Sequence, residues 1–333
     1  MRLPQPRGPL SATLVETLRR SQDGVQPGPD DARTADVLHD HDLQLSLWMC
    51  YELHYRGFDD VDDTWEWSPD LISWRRRLED RFLAGLRALA PTPAVAPEAV
   101  PDALADLVAA DDGPSLAGYL QREATLEQFR EFVALRSVYH LKEADPHSWA
   151  IPRLEGRAKA ALVEIQADEY GGGRVERMHS ELFRDVMRAL DLDDTYGHYV
   201  DRAPAVTLAV TNTISLFGLN RNLTGALVGH LAAFEMTSSL PNRRYGNGLR
   251  RLGGDERATR FYDEHVEADA VHEQIAAHDL CGTYAKAHPD AAGDVLFGAA
   301  ACLAVEAEFA GALLDRWGLG LSALHTSALE RTA

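Results

Sequence analysis

Beyond residue 102 the sequence reads as one helical stretch after another, and a single segment decides what they can build. APAVTLAVTNTISLF, Ala203–Phe217, is rich in Val, Thr and Ile, whose propensity is for strand. No other stretch of similar quality stands ready to pair with it. A lone strand cannot satisfy its backbone donors and acceptors. The segment is therefore predicted to be helix, and the chain all-α.

The neighbouring signals agree. Thr125 and Gln128 form a capping-box pattern in TLEQFREFVALRSVYHLKEA, and Pro146 disfavours helical geometry at Asp145, so this helix is predicted to stop near Ala144. Pro152 suits the first turn of a helix running to about Tyr170. RVERMHSELFRDVMRAL carries Val175, Met178, Leu182, Val186 and Leu190 at three- and four-residue spacing, the mark of an amphipathic helix. Further helices are predicted over about Arg221–Met236, Asp255–Asp279 and Ala291–Trp317. The last contains LFGAAACLAVEAEFAGALL, which Glu306 and Glu308 interrupt; a buried amphipathic helix fits it better than a membrane span.

Pro4, Pro6, Pro9, Pro27 and Pro29 mark residues 1–30 as a mostly extended arm. Helices are predicted at about Ala35–Tyr55 and Pro69–Leu89. PTPAVAPEAVP, Pro91–Pro101, then places four prolines in eleven residues, the best linker in the chain. The plan has three parts: the arm (1–30), accessory helices with the Pro-rich linker (31–102), and a helical domain (103–333). With 33 Lys and Arg against 52 Asp and Glu, the formal charge of −19 argues against nucleic-acid and anionic-membrane partners. Cys50, Cys281 and Cys302 are scattered, with no disulfide framework and no thiolate zinc cage. The first residues show no apolar h-region, so a cytoplasmic protein is expected.

Chemistry is concentrated in FYDEHVEADAVHEQI. His265, Asp269 and His272 lie at i, i+4 and i+7, within about 60° of one another around a helix of about 100° per residue. Two imidazoles and a carboxylate thus share one narrow stripe. A second cluster is DEYGGGRVERMHS, with carboxylates at Glu169 and Glu176 and a histidine at His179. Glu176–His179 and Asp269–His272 both have the carboxylate-x-x-His spacing of di-iron four-helix bundles. A ferritin-like site would explain those pairs, but leaves His265 and the three glycines without a role.

These motifs together resemble the haem-oxygenase-like di-metal oxidases and oxygenases, iron-containing redox enzymes, over about Thr125–Phe309. His265, Asp269 and His272 match the family's histidine–aspartate–histidine set. Glu169 and His179 match its glutamate-then-histidine element. Glu143, in YHLKEADPH, matches an earlier glutamate, and Glu235, in LAAFEMTSS, a late one. The resemblance implies a helical bundle with the haem oxygenase fold but no haem, here with additional N-terminal helices. It further implies two Fe(II) ions, or manganese, dioxygen as co-substrate and a small-molecule substrate. N-oxygenation, desaturation and oxidative C–C cleavage are the reactions it brings. Repeated oxygenation needs an external electron donor, since no flavin or nicotinamide motif is present, and a homodimer is compatible with the chain. The charges fit: two divalent ions neutralise the four carboxylates, which would otherwise repel and take up protons. Mixed imidazole and carboxylate donors suit iron or manganese.

Other residues receive plainer readings. Glu127, Glu131 and Asp145 are alternatives to Glu143, and pairing with Arg243 or Arg244 is the alternative for Glu235. His140 and His147 are read as non-ligands, the latter because Pro146 should throw it off the helix face. His230 is read as a core histidine and His54 as structural. Arg174 and Arg260 are the expected anchors for a substrate carboxylate, ahead of Arg243 and Arg244. Finally, Glu169 and His179 are ten residues apart, about 80° around a straight helix. Gly171–Gly173 are predicted to break that helix so that both side chains turn inward.

Overall fold

The computed structural model describes residues 1–20 and 36–326, and of residues 267–271 the backbone alone. It contains fourteen α-helices and, among the described residues, no strand. In chain order these are α1 (Pro9–Leu18), α2 (His41–Glu52), α3 (Pro69–Leu89), α4 (Val100–Ala109), α5 (Leu116–Arg122), α6 (Leu126–His140) and α7 (Asp145–Ser148). There follow α8 (Gly156–Glu169), α9 (His179–Ala189), α10 (Ala205–Leu219), α11 (Thr224–Arg251), α12 (Glu256–Gln274), α13 (Thr283–Ala287) and α14 (Ala292–Gly318).

The strand-like segment is α10, buried at every residue from Ala205 to Gly218. It lies against α2, α14 and α6. Within it Thr213 Oγ1 donates back to the Ala209 carbonyl at 2.8 Å, while Asn212 Nδ2 donates to Gln44 of α2 at the backbone oxygen (2.8 Å) and Oε1 (2.7 Å). Burial on every side thus overrides β propensity. The scaffold for the site is the long helix α11, packed on α14, α12 and α5. Its crossing with α14 is backbone against backbone: a Cβ on Gly229 would run into the Val295 carbonyl, and one on Gly298 into that of Ala226. By length and composition α14 could cross a membrane; here its apolar side is packed within the bundle.

Several expectations need correction. The arm is not extended throughout: α1 forms because Asp42 at the start of α2 accepts from the Leu10 and Ser11 amides at 2.8 and 2.7 Å, satisfying donors that a helix N-terminus leaves free. Leu10, Leu14, Val15 and Leu18 are then buried in the core that continues through the whole bundle. Residues 21–30 of the expected arm lie outside the described residues. Helix α6 ends at His140, four residues early, and Pro146 sits in the first turn of α7, where its missing N–H is harmless. Pro152 lies in a short 3-10 turn, and α8 starts only at Gly156. The helix expected from Arg174 begins at His179, leaving Val175 64% exposed. Helix α11 runs fifteen residues past Met236 and continues through Pro241, packed on α14, α12 and α5.

Candidate metal centre

Glu143 lies in the turn between α6 and α7, which neighbours tie down on several sides. His140 Nδ1 is 3.0 Å from Glu143 Oε1. Lys142 donates to Glu52 Oε2 of α2 at 2.8 Å, Gln166 to the Ala144 carbonyl at 3.1 Å, and the Tyr170 hydroxyl to Asp145 at 2.8 Å. The turn is therefore a fixed platform, closed within itself by the Lys142 amide on the Tyr139 carbonyl at 2.9 Å and the Asp145 amide on the Lys142 carbonyl at 3.1 Å.

Glu169 is the last residue of α8 and His179 the first of α9. Gly171, Gly172 and Gly173 all have left-handed φ, at 65°, 60° and 79°, and Arg174 and Met178 are extended. The chain thus turns back on itself, and Glu169 Oε2 comes to 3.0 Å from His179 Nδ1. Gly171 is the critical member: an added Cβ would lie 2.6 Å from the Arg177 carbonyl carbon and the Met178 nitrogen, whereas at Gly172 and Gly173 it would meet nothing within 4 Å. Gly171→Ala is expected to destabilise the fold by more than the ~1–2 kcal/mol of a left-handed alanine and to weaken iron binding. Gly172→Ala should cost about 1–2 kcal/mol and leave the iron content intact. Urea unfolding with metal analysis of both variants checks this; equal behaviour would remove the role given to Gly171.

Helix α12 supplies the histidine stripe. His265 Nδ1 is 2.8 Å from the Phe261 carbonyl, which turns Nε2 toward Glu143 Oε1, 3.7 Å away. The His265 and His179 rings lie 4.2 Å apart. Glu143, His179 and His265 each bring one ligand atom within 4.8 Å of the others. Two turns along α12, His272 Nδ1 is 3.4 Å from Glu235 Oε2, and its Nε2 is 2.9 Å from Asp168 Oδ2. Asp269 is on α12 between them, and its side chain lies outside the described residues. A small buried cavity of about 40 Å³, walled by Glu143, Glu169, Glu235 and His265, lies among these groups.

The donor set fits metal ions. Glu143 Oε2, Glu169 Oε2, His179 Nδ1 and His272 Nδ1 are buried and make no hydrogen bond, although His179 and Glu169 are only 3.0 Å apart. Atoms that close, yet not aligned as donor and acceptor, suggest lone pairs aimed at a common point. Two ligands at right angles, each about 2.1 Å from one ion, would be about 3 Å apart. Titration tells the same story. Burial pushes the Glu143 carboxyl up, but His140 and His265 outweigh it and hold it well below the usual range. Burial raises Glu235. Burial disfavours a charged His272, yet Glu235 and Asp168 prevail and raise it to about 9. In the absence of a cation, a proton on His272 offsets the carboxylates around it.

The remaining expectations divide. Glu176 is exposed in a 3-10 turn outside α9, so the Glu-x-x-His pair of the ferritin-like reading does not form on a helix. Glu235 pairs with His272, not with Arg243 or Arg244. His54 is structural, held by Arg75 and Glu66. Arg174 is exposed, and Arg260 is 45% exposed and paired with Glu264 on its own helix; neither is among the residues lining the two cavities at the centre. His147 is not thrown outward: it is buried beside the small cavity, its Nε2 without a hydrogen bond, and burial lowers its pKa to about 4. Pro146 does take His147 off α6, but it starts α7, on which His147 is buried. Asp168 was also missed; nothing in the sequence separates it from its neighbour Glu169.

A second cavity, about 560 Å³, opens against the centre. Tyr139, His140, Glu143 and His265 form its inner wall, and Phe132, Phe234, Tyr245 and Tyr262 its sides.

An all-α bundle of the haem oxygenase type with clustered carboxylates and imidazoles defines an iron-binding redox protein, and the chain belongs to the family described as iron-containing redox enzyme, whose profile matches residues 130–307. Among its relatives is a nitrosourea synthase from Streptomyces achromogenes subsp. streptozoticus, 28% identical over 152 residues, or 45% of this chain. The match spans about a third (32%) of that protein's length.

Proposed function

We propose that the protein is a non-haem di-iron oxidoreductase that uses dioxygen to oxidise a small amine- or amino-acid-like metabolite. The observation that carries this reading is the convergence of buried, unbonded lone pairs on Glu169 and His179 beside Glu143 and His265. Glu143, Glu169, His179 and His265 would hold one part of the centre, and Glu235, Asp269 and His272 the other. Two Fe(II) ions held by these residues would supply the electrons for reduction of dioxygen. The chain's own part is binding, orientation and exclusion of water. The Phe261 carbonyl fixes the His265 ring, and the tethered turn fixes Glu143. The aromatic walls of the larger cavity keep the reacting end of a substrate dry and against Glu143 and His265. An external reductant is expected for repeated oxygenation. The relative's activity, nitrosourea synthesis, is compatible with oxidation at nitrogen, and supports an amine-type substrate here.

Anaerobic titration with Fe(II) is expected to saturate at two ions per chain, and admission of air should then produce rapid dioxygen uptake that a chelator abolishes. Saturation with no uptake would favour a binding protein of this fold. Uptake that survives chelation would sink the metal-based reading.

A further inference from the structure

The larger cavity contains a feature that the metal centre does not require. Arg136 of α6 and Glu306 of α14 form a bidentate pair on its wall, Nη1 to Oε1 at 2.8 Å and Nη2 to Oε2 at 2.5 Å, with side chains only 11% and 23% exposed. Arg136 also lies over the Phe309 ring at 4.3 Å. Pairs taken out of water are often no more stable than apolar replacements, so stability alone is a weak reason for one here. This pair also keeps bonding capacity. A guanidinium has five N–H groups, of which Glu306 takes two and the Tyr245 hydroxyl engages another, and each Glu306 oxygen retains a lone pair.

Its net charge is zero, and its two signs lie side by side facing the cavity. A lone carboxylate or a lone ammonium placed there would leave an uncompensated charge, whereas a zwitterion lays carboxylate on Arg136 and ammonium on Glu306 with none left over. The rim carries one further charge of each sign, exposed Asp111 and half-buried Arg244, the latter bonded to Ser115 Oγ at 3.4 Å. Arg136 is one helical turn before His140, about 6 Å of rise, and His140 contacts Glu143. Tyr139 lines the cavity at the metal end and Tyr245 beside Arg136.

From this arrangement we infer that the Arg136–Glu306 pair is a head-group site for an α-amino acid, whose side chain of roughly four to six heavy atoms reaches toward the metal centre. The inference rests on the oxidoreductase reading for what happens at the far end, but the head-group site itself is read by binding alone.

L-norleucine, hexanoate and pentylamine carry a matched apolar chain with both head groups, the acid only, or the amine only. Calorimetric titration into anaerobic Fe(II)-loaded protein is expected to give L-norleucine a dissociation constant lower by about tenfold or more than either analogue. Glu306→Gln should weaken L-norleucine by about tenfold while hexanoate binds equally or more tightly, a reversal that a purely structural pair would not produce. The double variant Arg136→Met/Glu306→Met should lose the preference and keep its iron. If L-norleucine shows no advantage over both analogues, or if the double variant retains it, the head-group site is overturned. Iron content measured on the same samples separates that outcome from failure of the metal centre.

Discussion

Glu169→Ala is expected to weaken iron binding by more than about 100-fold, beyond the range of about 10–100-fold typical of groups that only support a ligand. Glu176→Ala should leave iron content and dioxygen uptake at the wild-type level. The two glutamates are seven residues apart and equally plausible by spacing, but they end in opposite environments. Glu169 closes α8 against His179, and Glu176 stands in solvent. Metal analysis after dialysis, with the Fe(II)-dependent dioxygen assay, reads both. Iron retained by the Glu169 variant and lost by the Glu176 variant would reassign the centre.

The largest effect on stability is expected at Lys142. Its ammonium is 1% exposed and donates to Glu52, itself 0% exposed, at 2.8 Å; the Tyr55 ring lies 4.3 Å away. Lys142→Met would leave Glu52 buried, with the Tyr196 hydroxyl still donating to it at 2.9 Å. Removing one partner of such a pair costs about 3–5 kcal/mol. Because Lys142 precedes Glu143, iron affinity should fall in the same variant. The double change Lys142→Met/Glu52→Gln should recover part of the stability, since no charge is then stranded. Urea midpoints measure this, and a Lys142→Met protein as stable as the parent would show that the pair contributes nothing.

Legibility in the sequence followed the range of the interactions. Helix α3 was readable at both ends, Pro69 and Leu89, and the Thr125–Gln128 box caps α6 as its pattern implies, because those signals are local. The helical state of Ala205–Leu219 was readable from a negative: no strand partner existed. Helix α1 was not readable, because its N-terminal donors are satisfied by Asp42, about thirty residues on. The end of α6 was misjudged because interactions across the fold draw the turn at 141–144 out of the helix.

The site shows the same division. Spacing alone pointed to His265 and His179, which the fold brings together with Glu143. Spacing could not tell which arginines face the cavity. Arg174 and Arg260 are near the motifs in sequence, yet neither lines the two cavities at the centre. Arg136 meets a partner 170 residues distant, which no local pattern reveals.

The bond between Glu52 and Lys142 also bears on how such a chain could be reshuffled over time. The stretch shared with the family starts at residue 130, so Lys142 lies inside it and Glu52 outside. A recombination event that exchanged only the shared stretch would place the two halves of this buried pair on opposite sides of its junction. A chimera whose crossover lies ahead of α2 keeps Glu52 and Lys142 from one parent, and should tolerate the exchange better than one cut at residue 130.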